Sequence, residues 1–211
     1  MENAINFIFQ IAILIFSVVI HEVSHGLMAN ALGDSTAKYS GRLTLNPIKH
    51  LDFFGSFLVP VFSYLAGGFI LGWAKPVPYN PYNLKNQKWG SALVGAAGPA
   101  SNLLVALFFG IFLRVIISFG FGDQLFFLNI IRIFEIIVFL NLVLAIFNLV
   151  PIPPLDGSKL LFALIPYQWR WIEQMLSQYG FIILLLFIFT FSGVILPIVS
   201  FLFRLITGVS F

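Results

Sequence analysis

Apolar residues run along this chain in five long blocks, separated by short polar, glycine-rich or proline-rich breaks. The first block extends from about Ile5 to Leu32. Asn6, Gln10, Ser17 and a cluster at His21–His25 interrupt it, and Gly33-Asp34 closes it in the manner of a helix stop. The stretch Ser35–Asp52 is polar, and the loose alternation over Tyr39–Leu45 predicts a short β-hairpin. The second block, Phe53–Trp73, carries Pro60 and Gly67-Gly68, and Ala74–Trp89 reads as a loop, with three prolines and Lys75, Lys85 and Lys88. The third block, Gly90–Phe119, and the fourth, about Gln124–Val150, are each long enough to span a bilayer, with a tight turn at Gly120–Asp123 between them. Pro151, Pro153 and Pro154 then force extended backbone. A mixed, interfacial segment follows over Gly157–Gly180, and the last block, Phe181–Ile206, is expected to break near Gly193 and Pro197.

Composition fixes the solvent. Hydrophobic residues make up 60% of the chain and charged residues 9%; a soluble domain carries about 25% charged residues, so this chain cannot cover a water-facing surface. The predicted fold is an all-α polytopic membrane protein of about 4–6 transmembrane or re-entrant helices, with the short β-hairpin after the first helix. The whole of 1–211 is expected to form a single integral-membrane domain. There is no cysteine, so disulfides and thiolate metal sites are excluded. The net charge of +3 sits mostly in the loops; it reports topology and a lipid bilayer as partner, not nucleic acid. The first block lacks a basic leader and a small-residue cleavage site, which predicts a retained span.

His21-Glu22-Val23-Ser24-His25 fits the HExxH pattern. Residues four apart on a helix lie about 40° apart in azimuth and about 6 Å apart along the axis, so both imidazoles can reach one Zn²⁺ ion per chain. Glu22 stands beside them, placed to act on an attacking water. Five residues alone match often by chance. The membrane setting changes that weighting, because a carboxylate at mid-bilayer costs roughly 2.5–3.5 kcal/mol or more, and a bound cation offsets this. The plainer reading is a buried polar cluster pairing with other helices.

Catalytic zinc takes three protein ligands and leaves one position open. Asp34, Asp52 and His50 fall in the polar loop and are read as solvated; Glu135 follows Arg132 by three residues, and Asp123 lies in a turn. Asp156 follows a rigid proline run and precedes Gly157, which lets backbone or substrate come close. It serves equally well as the N-cap of the next helix. Depth favours the ligand reading: if Phe53–Trp73 is a re-entrant hairpin, Asp156 arrives on the same side as the histidines. The loops holding Lys38, Arg42, Lys49, Lys75, Lys85, Lys88, Lys159 and Arg170 then all face the cytoplasm, with the N-terminus outside.

Three ordered motifs give the chain its resemblance to the site-2 protease family of intramembrane zinc metalloproteases. They are His21–His25, Gly98-Pro99-Ala100-Ser101-Asn102, and Asn148 through the proline run to Leu155-Asp156-Gly157. It most resembles the short bacterial members without a PDZ domain, through Ser40–Pro47 and Ala74–Pro78. The likeness covers about 15–160; the catalytic core is placed at about 5–160 and a C-terminal helical segment at 161–211. The resemblance implies that His21, His25 and Asp156 hold zinc and that Glu22 is the general base. It also implies that Asn148 contacts the scissile peptide, and that Gly98 and Asn102 shape the core. The expected activity is hydrolysis of a peptide bond in or beside a transmembrane helix of a membrane-protein substrate, in the cytoplasmic membrane. The rivals are a non-catalytic zinc-binding chaperone for membrane helices and a metal transporter.

Overall fold

The computed structural model describes residues 2–52, 54–59, 61–62, 65, 75–119 and 125–209. In chain order its helices are α1 (Glu2–Ala31), the one-turn α2 (Thr36–Tyr39), α3 (Gln87–Ser118), α4 (Leu125–Asn148), the short α5 (Gly157–Leu164) and α6 (Arg170–Thr207). Among the described residues, four stretches are long and apolar enough to cross a bilayer: Ile8–Ala31, Lys88–Ser118, Phe127–Asn148 and Tyr167–Thr190. Lipid offers no hydrogen bonds, so such segments must satisfy their backbone internally, as helices do. Phe16, Leu104, Phe108 and Phe189 are each more than half exposed, pointing away from the bundle where lipid would cover them. The protein is an all-α multi-pass membrane protein, and no strand occurs among the described residues.

Cross-helix contacts set the directions. Ser17 meets Asn102 and His25 meets Val94, so α1 and α3 are antiparallel. Asn141 meets Asn102 and Phe134 meets Phe109, so α4 is antiparallel to α3. Gly110 abuts Ile206, and Arg114 donates to the Leu205 carbonyl near the end of α6. Lys88 and Arg170, at the starts of α3 and α6, line one cavity, so these two helices run parallel. A buried core joins Ala106 of α3, Val138 and Leu142 of α4, and Val199 and Phe203 of α6. Apolar burial contributes little between helices in lipid, so small residues that let backbones approach, such as Gly110, carry the packing.

The structure departs from expectation in three places. The predicted hairpin does not form: Gly41 takes a left-handed φ of +64°, Arg42 bonds the Lys49 carbonyl, and Asn46 caps a 3₁₀ turn at Pro47–Lys49. Side chains and turns thus satisfy the backbone groups a ladder would have used. Helix α6 runs unbroken through Gly193 and Pro197. Asp34 and His50 are buried rather than solvated. Asp34 accepts from Thr36, from the Asn80 N–H at 2.6 Å and from Asn83 at 2.9 Å, latching 80–83 onto the end of α1. The expected re-entrant segment Phe53–Trp73 and the turn Gly120–Asp123 lie largely outside the described residues.

Candidate metal centre

Helical spacing puts His21 and His25 on one face of α1. Their rings lie at 87° to one another with centroids 4.6 Å apart. The His21 and His25 Nε2 atoms are 3.0 Å apart, and each lies 3.0 Å from Asp156 Oδ2. All three residues are buried. Asp156 does occupy the N-cap position of α5, but its side chain makes no capping bond and turns to the histidines instead. That separates the two readings of this residue: the position is a cap, the side chain a donor.

Outer partners decide the chemistry of the cluster. The Asn102 amide donates to the Ser17 carbonyl at 3.3 Å and to Asn141 Oδ1 at 2.8 Å. Its Oδ1 therefore faces His21 Nδ1, 2.6 Å away, and that nitrogen carries the proton. His25 Nδ1 donates likewise to the Val94 carbonyl at 2.6 Å. Neutral imidazoles protonated at Nδ1 present bare lone pairs at Nε2. Two such lone pairs and a carboxylate oxygen converge at 3.0 Å and cannot bond one another. They suit a cation: in a zinc tetrahedron with bonds of about 2.0 Å, neighbouring donors are about 3.3 Å apart. A Cβ on Gly98 would strike His25 Nε2 and come within 2.6 Å of His21 Nε2, so glycine leaves this space open. The residues present fit zinc.

Asp156 is held from behind. Lys159 donates to Asp156 Oδ1 at 2.9 Å, leaving Oδ2 for the cluster. Burial opposes the charge on Asp156, while the Lys159 ammonium against Oδ1 favours it. Gly157 lets the loop fold back on α4, since a Cβ there would collide with the Leu149 carbonyl. Asn148 ends α4 and donates to the Leu144 carbonyl of its own helix at 2.9 Å. Glu22 is half-buried, and its Oε2 accepts the Val77 N–H at 2.8 Å. Val77 lies between Pro76 and Pro78, which have no N–H, and its side chain packs where a Cβ on Gly26 would sit.

Sequence reasoning missed four contributors: Ser17, Asn141, Lys159 and the Val77 N–H. Asn141 carries a signal, because a polar side chain deep in an apolar span marks a functional position by default. Lys159 follows Asp156 by three residues, which places it on the same helical face. The roles of Ser17 and Val77 depend on the meeting of distant segments and leave no local trace.

Fold and site together define a helical membrane protein carrying a metalloprotease-type metal cradle. The chain belongs to peptidase family M50, the site-2 protease family, whose model matches residues 9–128 and 115–189. It is 43% identical over 183 residues to "Putative zinc metalloprotease YwhC" of Bacillus subtilis (strain 168), covering 85% of this chain and 80% of that one. It is 30% identical over 190 residues to "Putative zinc metalloprotease Rip2" of Mycolicibacterium smegmatis (strain ATCC 700084 / mc(2)155), covering 87% of this chain and 68% of that one. No solved structure matches it significantly.

Proposed function

We propose that the protein is an intramembrane zinc endopeptidase that cuts a peptide bond within or next to a transmembrane helix of a membrane-protein substrate, as in regulated intramembrane proteolysis. The observation that carries this reading is the buried trio of His21, His25 and Asp156 beside Glu22, with both histidines and Glu22 inside a span. His21 lies ten residues before the end of α1, about 15 Å in from that end at 1.5 Å per residue. A zinc ion held by His21, His25 and Asp156 would polarise water and the scissile carbonyl. Glu22 takes the water proton on one carboxylate oxygen while Val77 N–H steadies the other, and then delivers it to the leaving amine. Asn102 and the Val94 carbonyl keep both imidazoles in the tautomer the metal needs. Asn148 contacts the substrate peptide near the cut.

Eight of the eleven Lys and Arg residues belong to segments at the end shared by the α1 C-terminus and the α3 N-terminus; Arg114, Arg132 and Arg204 lie toward the other. In the reading proposed here that basic end faces the cytoplasm, in the cytoplasmic membrane, with the N-terminus outside. A transporter would need several polar stations, and the described residues hold one His/Asp/Glu cluster fit for a metal. The test compares wild type with Glu22→Gln in detergent, reading bound zinc and cleavage of a single-span substrate. One zinc in each, with cleavage by wild type alone, supports the proposal. A zinc-loaded Glu22→Gln that cuts as fast as wild type overturns it, and wild type that folds without zinc does the same.

A further inference from the structure

A second site lies on the basic end, outside the metal cluster. Its cavity has a volume of about 560 Å³ and is lined by Lys88, Lys159, Arg170 and Glu173, with Tyr79 and Tyr167 on its walls. Each of its three cations stands against an aromatic ring. Lys159 lies 5.4 Å from the centroid of Tyr79, Arg170 4.7 Å from that of Tyr167, and Lys88 5.8 Å from that of Trp89. Rings that brace cations reduce the freedom a ligand must remove on binding. Glu173 offsets one charge, one turn beyond Arg170 on α6. Asp156 engages Lys159 from the far side, although a divalent ion at Asp156 would itself offset that carboxylate.

The level of the cavity names the ligand. Two spans begin at Lys88 and Tyr167, so the cavity sits where the bilayer meets water. Tyr167, Trp169 and Trp171 are all exposed beside it, an arrangement typical of an interfacial aromatic belt. Phe162 and Ile165 add apolar walls next to the cations. A ligand here meets positive charge at its head and hydrocarbon at its tail. We infer that this cavity binds the phosphate headgroup of an anionic phospholipid between Lys88, Lys159 and Arg170. Basic pockets between helices at the cytoplasmic surface favour such headgroups. Lys159 lines this cavity and donates to Asp156, so the lipid site and the metal cradle share one side chain. The inference does not rest on the protease reading, and its test needs no cleavage assay.

The test counts bound phosphatidylglycerol against phosphatidylcholine of the same chain length, by native mass spectrometry of the full chain released from detergent. Lys88→Gln/Arg170→Gln removes two exposed cavity charges, and Lys38→Gln/Lys75→Gln removes two exposed charges elsewhere on the same end. At about 1 kcal/mol per cation, the cavity pair should lower the preference for phosphatidylglycerol roughly tenfold to thirtyfold. The control pair should keep it, and Lys88→Arg/Arg170→Lys should restore it. No preference in wild type overturns the inference, as does an equal loss in both glutamine pairs. Displacement of the lipid by sodium phosphate but not by sodium chloride at equal ionic strength also overturns it, assigning the cavity to free phosphate instead.

Discussion

Asn102 offers the sharpest test of how the metal cradle is held. Its Oδ1 accepts from His21 Nδ1 at 2.6 Å, and its amide donates to Asn141 Oδ1 at 2.8 Å. Asn102→Ala removes both bonds, together with the longer one to the Ser17 carbonyl, and leaves His21 free to choose its tautomer. Losing an outer partner of a metal-binding histidine costs about tenfold to a hundredfold in affinity, or about 1.4–2.8 kcal/mol. The effect on folding is smaller, because polar bonds between membrane helices average about 0.6 kcal/mol and reach only about 1.7. Metal affinity is therefore the sensitive readout and thermal stability the insensitive one. Asn102→Asp separates the two bonds: it keeps an acceptor for His21 but sets a carboxylate oxygen against Asn141 Oδ1. Zinc affinity, measured by competition with a chromophoric chelator in detergent, should fall about tenfold to a hundredfold in Asn102→Ala. In Asn102→Asp it should stay within about threefold, a shift below 1 kcal/mol, while the melting temperature drops. Wild-type affinity in Asn102→Ala would refute the tautomer argument. Equal weakening in both variants would refute the division of roles.

Lys159→Ala frees Asp156 Oδ1, so zinc should leave about tenfold faster, with Lys159→Arg recovering much of the difference; unchanged release in a chelator chase would count against the bond as a support. Val77→Pro deletes the N–H that steadies Glu22 within a segment already set by Pro76 and Pro78. Zinc content should hold while kcat falls about tenfold, and Val77→Ala should stay near wild type; equal kcat in both would sink the idea. Burial alone would raise the pKa of Asp34, but bonds from Thr36, Asn83 and Asn80 outweigh it and lower the pKa from 3.8. A lowered folded pKa contributes stability above the unfolded value that is lost as pH falls through the folded one. The melting-temperature gap between wild type and Asp34→Asn should therefore be widest near neutral pH and close below about pH 4; a gap constant with pH would contradict this.

Much of this architecture was legible because lipid imposes simple rules. The blocks Gly90–Phe119 and Gln124–Val150 became Gln87–Ser118 and Leu125–Asn148, within a few residues at each end. His21, His25 and Asp156 met as expected, since one pair is spaced for a helix face and the third sits behind a rigid proline run. Polar loop residues were misread for a physical reason. Polarity in sequence suggests solvation, yet loops folded onto a helix end need buried acceptors for their own N–H groups, and Asp34 is such an acceptor. Pro197 suggests a break, but a membrane helix tolerates a proline where its surroundings satisfy the freed carbonyl. Near Asn141 in sequence lies only the Ile137 carbonyl of its own helix; the partners that give it a role, Ser17 and Asn102, come from two other helices.

The meeting of the three donors depends on a parity condition that local geometry cannot supply. Lys85 N–H donates to the Leu32 carbonyl at 3.0 Å, and Lys75 N–H to the His50 carbonyl at 2.8 Å. Residues 50 and 75, like 32 and 85, thus lie together at one end of the bundle. Because of that, α3 starts beside the end of α1 and runs back along it, bringing Val94 to His25 and Asn102 to His21 in one register. Helix α4 reverses direction once more and delivers Asp156 to the level of the histidines. A single crossing in the first connection would have turned α3 and α4 over, leaving Asp156 at the far face and two imidazoles without their carboxylate. The metal cradle therefore requires α3 to start beside the α1 C-terminus, and at that same end 75–80 lies along α1, with its Val77 N–H against Glu22.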